Sequence, residues 1–372
     1  MDAQVIQVEI PFKTAFSHAS ARRKVSSAVV VRLRDADGLC GYGEGCPREY
    51  VTGETMASAV TWLKARIGPW SQTVSNLDDL RRLCQRHEAD INLNPSAFCA
   101  FELAMIDLMA RRAGLGIEAF LGLSKLSRPL EVTAVSGSDN PLIFQLQSWR
   151  FKAAGMRSAK LKVGANQRRN VKRVKHLAKF ARVRLDGNNL WTDASEAVAA
   201  LKPLQANTWA VEEPIKARDF AGMGRIHNDT GLKVILDESL LNRYDLAAFL
   251  AVKPDPQAYI VNVRISKMGG LLRSLDLVRH LRELGFGLVL GSQVGETSCL
   301  TRAALALAPE MFPLLGFEGG YGRHLLVHDA FSPSLTFDSQ AKLHLDHIPP
   351  QANGLGITPT KALAFSDGNQ PR

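Results

Sequence analysis

The sequence predicts an α/β protein whose larger part is a barrel of strand–helix units. Between residues 159 and 270, five short apolar runs each end in charged residues, and these endings recur roughly every 25 to 30 residues, the length of one strand plus one helix. Several such units in a row argue a parallel sheet closed into a barrel, where chemistry collects at the C-terminal strand ends. The length, 372 residues with 46% hydrophobic and 22% charged, suits one barrel with an added domain.

Composition narrows the class further. No apolar run approaches the length of a membrane span, and the N-terminal MDAQVIQVEIPF lacks a basic stretch followed by an apolar one, so a cytoplasmic protein without a membrane partner is expected. The five cysteines, Cys40, Cys46, Cys84, Cys99 and Cys299, show no metal-type spacing and read as free thiols. The net charge of +10 suggests nucleic acid, but eight of the basic residues fall between Arg168 and Arg184. There Val171, Val174, Leu177, Ala178 and Ala181 recur at helical spacing, the pattern of an outer barrel helix with a basic solvent face. Without interleaved aromatics, no nucleic-acid partner is expected.

In chain order, residues 1 to about 45 alternate apolar and polar like antiparallel strands: Val5–Ile10, Ser27–Leu33 and, after the turn at Asp35–Gly38, Gly41–Glu44. Lys13–Arg23 is too long for a tight hairpin and reads as a functional loop. A second exposed segment, Pro47–Glu54, contains Tyr50. Residues 55 to about 123 read as helices, with Asn94-Pro95-Ser96 as a start signal and Ala97, Ala100, Phe101, Ala104, Met105 and Leu108 as a buried stripe. Glu102 and Asp107 within it read as structural, paired with nearby basic residues. The first barrel strand is expected at Leu130–Ser136. Strands two to six are the runs ending at Lys162, Asp186, Glu212, Asp237 and Lys267, all expected to point into one cavity. The seventh strand is Gly287–Ser292 and the eighth lies within 313–320. From about residue 325 the chain becomes irregular and is expected to return to the N-terminal domain.

Asp186, Glu212 and Asp237 would bring three carboxylates from adjacent strand ends, with Asn188 close behind. An all-oxygen set suits a hard cation, Mg²⁺ before Mn²⁺ or Ca²⁺, and relieves the repulsion among the acids. Lys162, with Lys160, and Lys267 flank the group. A lysine near a cation and a second ammonium moves toward its neutral form and can act as a base. Two such lysines across a cavity would handle a proton on opposite faces of one carbon, next to a cation stabilising an enediolate.

Lys160-Leu161-Lys162, Asp186-Gly187-Asn188, Val211-Glu212-Glu213-Pro214, Asp237-Glu238-Ser239 and Ser266-Lys267-Met268-Gly269-Gly270, in this order, resemble the muconate lactonizing enzyme subgroup of the enolase superfamily. The resemblance implies a modified (β/α)7β TIM-type barrel with an N-terminal α+β capping domain: cap 1–125, barrel 126–324, and a segment 325–372 returning to the cap. It implies one Mg²⁺, with Mn²⁺ as a substitute, on Asp186, Glu212 and Asp237. Lys162 and Lys267 would be the acid/base pair, Lys160 would tune Lys162, and Glu238 would hydrogen-bond near the lysine of the next strand. Two capping loops, 13–23 and 47–54, would read the substrate, making His18, Arg22, Arg23 and Tyr50 candidate contacts, together with Glu296 and Glu318. A small-molecule carboxylate substrate and a homo-oligomer are also implied.

The implied reaction is racemisation or epimerisation of an amino-acid derivative, a dipeptide or N-acyl amino acid. The alternatives are β-elimination or cycloisomerisation of the o-succinylbenzoate synthase or muconate cycloisomerase type, and an inert ligand-binding barrel. Enzymes of the mandelate racemase type would place a His where Lys267 stands. Two departures mark this chain. Dipeptide epimerases often carry Asp-x-Asp after the last strand, where this chain reads Glu318-Gly319-Gly320, and Gln293–Thr297 is one residue longer than usual.

Overall fold

The computed structural model describes residues 1–18, 21–138, 140–363 and 365, and for residues 14–18 and 21–23 the backbone alone. Three antiparallel strands, β1 (Asp2–His18), β2 (Ala21–Arg34) and β3 (Cys40–Gly45), form a meander with Val5 opposite Val31 and Val31 opposite Gly43. Within the expected loop at 13–23, residues up to 18 and from 21 instead extend the two strands. After a register shift between Pro11 and Phe16, the backbone pairs Phe16 with Arg23 and His18 with Ala21. The side chains of His18, Arg22 and Arg23 lie outside the described residues.

The helix Pro95–Arg112 packs on this meander, buried almost throughout. Gly41, Gly43 and Gly45 permit the contact, because a Cβ there would stand 2.3, 2.2 and 1.9 Å from carbonyl oxygens of the helix. Its acids are structural, as expected, but their partners are chiefly main-chain amides. Asp107 accepts from the amides of Tyr42 and Leu355 as well as from Arg111, and Glu102 accepts from those of Leu271 and Leu272.

The run at 130–136 splits in two. β4 (Leu130–Glu131) pairs antiparallel with Lys342–Leu343, and β5 (Ala134–Ser136) opens the barrel. The barrel continues with β6 (Ser158–Lys162), β7 (Arg182–Asp186), β8 (Ala210–Glu212), β9 (Lys233–Leu236), β10 (Tyr259–Val263), β11 (Gly287–Leu290) and β12 (Leu314–Phe317). All neighbours are parallel and follow chain order. The Thr133 amide donates to the Phe317 carbonyl (2.7 Å), joining the first and last strands.

Helices separate the strands, and most begin at a side chain that accepts from their first free amides: Asn140, Asn166, Asp193, Asp219, Asn242 and Thr297. Near the C-terminus the Ile117 amide donates to the Gly354 carbonyl (2.9 Å) and Arg111 to that of Ile357 (2.7 Å). No helix of the described residues is long and apolar enough to cross a membrane.

Candidate active site

Parallel register sets the acidic and basic groups side by side. Lys162 pairs in register with Asp186, and Asp186 with Glu212, while Asp237 directly follows β9. Lys160, Asp186, Glu212 and Asp237 are each almost fully buried. The Lys160 ammonium lies 3.0 Å from Glu212 Oε1, 3.4 Å from Asp186 Oδ2 and 3.2 Å from Glu318 Oε2. Burial alone would lower its pKa, but these three carboxylates outweigh burial and hold it above the ordinary lysine value. Lys162 is the contrasting case. Burial lowers its pKa, Asp186 only partly offsets this, and the charges of Lys160 and Arg264 lower it further. Its Nζ donates to Asn188 Oδ1 (3.4 Å), and Asn188 in turn contacts Asp186 Oδ1 through its side-chain amide.

Burial pushes the Glu212 carboxyl up to about 7 against the pull of Lys160, with repulsion from Asp186, Glu318 and Asp237 adding to it. Asp237 goes the other way. Burial would raise it, but Arg264 and Lys267 hold it below the usual carboxylate range. Burial and the neighbouring Asp237 and Glu213 raise Glu238, which lines the cavity.

Lys267 does not reach the cavity. β10 ends at Val263 and the chain turns at once into a short helix, Ile265–Met268, which carries Lys267 into the wall. There it is fully buried and donates to the Asp237 carbonyl (2.6 Å) and Oδ1 (2.7 Å), rather than to Glu238. The residue that faces the cavity at this strand end is Arg264. Its guanidinium contacts Asp237 Oδ2 and stands 3.6 Å from Glu212 Oε1. Since β6 and β10 are four places apart in an eight-stranded barrel, Arg264 stands across the mouth from Lys162.

Of the substrate candidates, Tyr50, Glu296 and Glu318 line the cavity. Glu318 is not open to a substrate cation, because its carboxylate already pairs with Lys160 and the fully buried Arg184. These charges overcome burial and draw its pKa down to about 2. Burial pushes Glu296 up to about 8, and one of its oxygens accepts from the Gln293 amide (2.9 Å).

Residues 1–122 match the model described as mandelate racemase / muconate lactonizing enzyme, N-terminal domain, and residues 145–363 match the enolase C-terminal domain-like model. The chain belongs to the mandelate racemase/muconate lactonizing enzyme family of the enolase superfamily. The hydrophobic dipeptide epimerase of Enterococcus faecalis is 26% identical over 308 residues, 81% of this chain and 84% of that protein. The N-succinyl-L-Arg/Lys racemase of Bacillus cereus is 24% identical over 360 residues, 94% of this chain and 92% of that one. The crystal structure of the E. faecalis dipeptide epimerase complexed with Mg and dipeptide L-Leu-L-Tyr has the same fold. It has a TM-score of 0.80 at 24% identity, and the match covers 96% of this chain and 98% of that one.

In this family member several site residues escape sequence reasoning. Arg264 was hidden by the more conspicuous Lys267 in the same run. Glu213, adjacent to Glu212 but with a positive φ of 37°, accepts from the amides of Asp237 (2.6 Å) and Ser239 (2.8 Å) and from the Ser239 hydroxyl (2.7 Å). It thereby fixes the turn that presents Asp237. Two consecutive acids at a strand end were the available signal: one can face the barrel interior while the other anchors the next loop.

Proposed function

We propose that this protein abstracts the proton α to the carboxylate of a small-molecule amino-acid derivative, a dipeptide or N-acyl amino acid, and so racemises or epimerises it. The observation that carries this reading is the Lys162 amine, lowered in pKa and lining a cavity beside three buried carboxylates. Relatives across most of the chain are named as a hydrophobic dipeptide epimerase and an N-succinyl-L-Arg/Lys racemase. In this reading residues 1–125 are the cap, 126–324 the barrel and 325–372 a segment returning to the cap.

The donor set fits a hard divalent cation, Mg²⁺ with Mn²⁺ as substitute: Asp186, Glu212 and Asp237 offer only oxygens. Lys160 reaches both Asp186 and Glu212, and Arg264 both Glu212 and Asp237, so the three carboxylates adjoin. Among the described residues no three His, Cys, Asp or Glu side chains stand as a ready metal cage. What a cation held by these three would supply is electrostatic stabilisation, worth several kcal/mol, of the charge developing on the substrate carboxylate. Lys162 takes the proton from Cα, the C–H electron pair moves into the carboxylate to give an enediolate, and inversion is completed when that pair takes a proton from a cavity water on the opposite face. Lys160 keeps its charge and disfavours charge on Lys162. Lys267 fastens Asp237.

A specific observation favours a second reading, β-elimination or cycloisomerisation. The guanidinium of Arg264, facing Lys162, has donors but no lone pair with which to take a proton, and these reactions need a proton handled on one face only. Incubation in D2O with Mg²⁺ separates the readings over dipeptides, N-acetyl and N-succinyl amino acids and succinylated cyclohexadiene acids. Deuterium at Cα with inversion supports the first, and loss of water or ring closure selects the second. No turnover of any compound, or turnover that survives Lys162→Ala, defeats both.

A further inference from the structure

Among the described residues, two side-chain donors in the cavity wall have no partner. Gln293 is 1% exposed, and its Nε2 is buried without a hydrogen-bond acceptor; the same holds for Nε of Arg264. The two residues are neighbours, with Gln293 Oε1 3.5 Å from Arg264 Nη1, an arrangement that turns the amide NH₂ away from the guanidinium. A buried amide N–H without an acceptor costs about 1–3 kcal/mol. An acceptor oxygen brought to this part of the cavity wall would relieve both.

The support of Gln293 is rigid. Its own amide donates to Glu296 Oε2 (2.9 Å). The next two carbonyls are held by the N-terminal part of the chain: Arg48 donates to that of Val294 (2.8 Å) and Ser26 to that of Gly295 (2.8 Å). Gly295 adopts φ +81°, and a Cβ there would stand 2.2 Å from the Ser26 hydroxyl, so the turn depends on glycine. A side chain held on such a support is pre-organised for recognition. At the neighbouring strand end, the carboxylate that would suit a substrate ammonium, Glu318, is already neutralised by Lys160 and Arg184.

We propose that Arg264 and Gln293 form a subsite for an acyl oxygen on the substrate's α-nitrogen, so that the protein takes N-acylated amino acids in preference to dipeptides with a free ammonium. This rests on the α-proton chemistry above and names the substrate class for it.

The test compares N-succinyl, N-acetyl and glycyl derivatives of the same amino acids, measuring turnover (Cα deuterium exchange or loss of water) and, separately, binding by calorimetry with Mg²⁺ present. The wild type is expected to favour the acylated compounds by about tenfold or more in kcat/KM. Gln293→Leu should raise KM for them about tenfold and leave the glycyl compounds unaffected, erasing the preference. In Gln293→Leu, Mn²⁺ affinity should be unchanged, which a general collapse of the site would not allow. Equal or better turnover of the glycyl compounds overturns the subsite and points to Glu238 and Glu296 as ammonium receptors. If no compound turns over, the α-proton reading falls, and calorimetry still judges the subsite. Tighter binding of the acylated series, lost in Gln293→Leu, supports it, and equal binding of both series overturns it.

Discussion

Lys160 and Lys162 stand two residues apart on one strand, and burial would lower both. Around Lys160 three carboxylates reverse the effect, whereas around Lys162 Asp186 and, less, Glu212 oppose it without reversing it, with two cations on the other side. Turnover should therefore rise with pH along an ionisation below the ordinary lysine value of 10.5, read from kcat/KM against pH. Lys162→Ala should remove this limb and cost roughly 10²–10⁴-fold in rate. Lys267 has another part. Lys267→Met would leave one oxygen of the buried Asp237 without its donor, so unfolding by denaturant should show a loss of about 3 kcal/mol. An acid/base role would predict lost turnover at near-native stability. The strand-end acids and Lys162 were legible in the sequence because each closes an apolar run. Choosing between Arg264 and Lys267 was not possible there. It depends on the strand stopping at Val263, and so on packing rather than on periodicity.

The same limit appears at the scale of elements. Most helix starts in the barrel carry a local Asn, Asp or Thr cap. The helix Leu271–Glu283 begins after Gly270 with no side-chain cap of its own sequence. Glu102, from the helix Pro95–Arg112, supplies it, accepting from Leu271 (2.6 Å) and Leu272 (2.8 Å). Gly270, with φ +111°, leaves room, since a Cβ would stand 2.3 Å from Glu102 Oε2. Glu44 on β3 does the same for the next helix, accepting from the amides of Thr297 (2.9 Å) and Leu300 (3.2 Å). These pairings span more than 160 residues, so no local pattern could show them. Glu102→Ala would strand two buried amides and should destabilise the chain by about 1–3 kcal/mol in denaturant unfolding, with Glu102→Gln, which keeps an acceptor, losing less.

Across the whole molecule these buried carboxyls give stability a definite pH dependence. Burial raises Glu44 and Glu102 from an ordinary 4.5 to about 7. Between those values the folded chain binds protons that the unfolded chain has lost. The stabilisation from these two groups is therefore full below pH 4.5 and disappears as pH rises to 7. Glu318 and Asp237, held below their ordinary 4.5 and 3.8 by basic partners, act oppositely: their contribution is present above those values and lost as pH falls through the folded pKa. The two sets together place the maximum near pH 4.5, so the thermal midpoint should fall on going from pH 5 to pH 7 and also on going well below pH 4. Glu102→Gln removes one group of the first set. Its thermal midpoint should consequently decline less than the wild type's between pH 5 and 7, with the acid limb unchanged. A decline as steep as the wild type's would mean that Glu102 is already ionised in the fold, its charge carried by the amides of Leu271 and Leu272 and by Arg273.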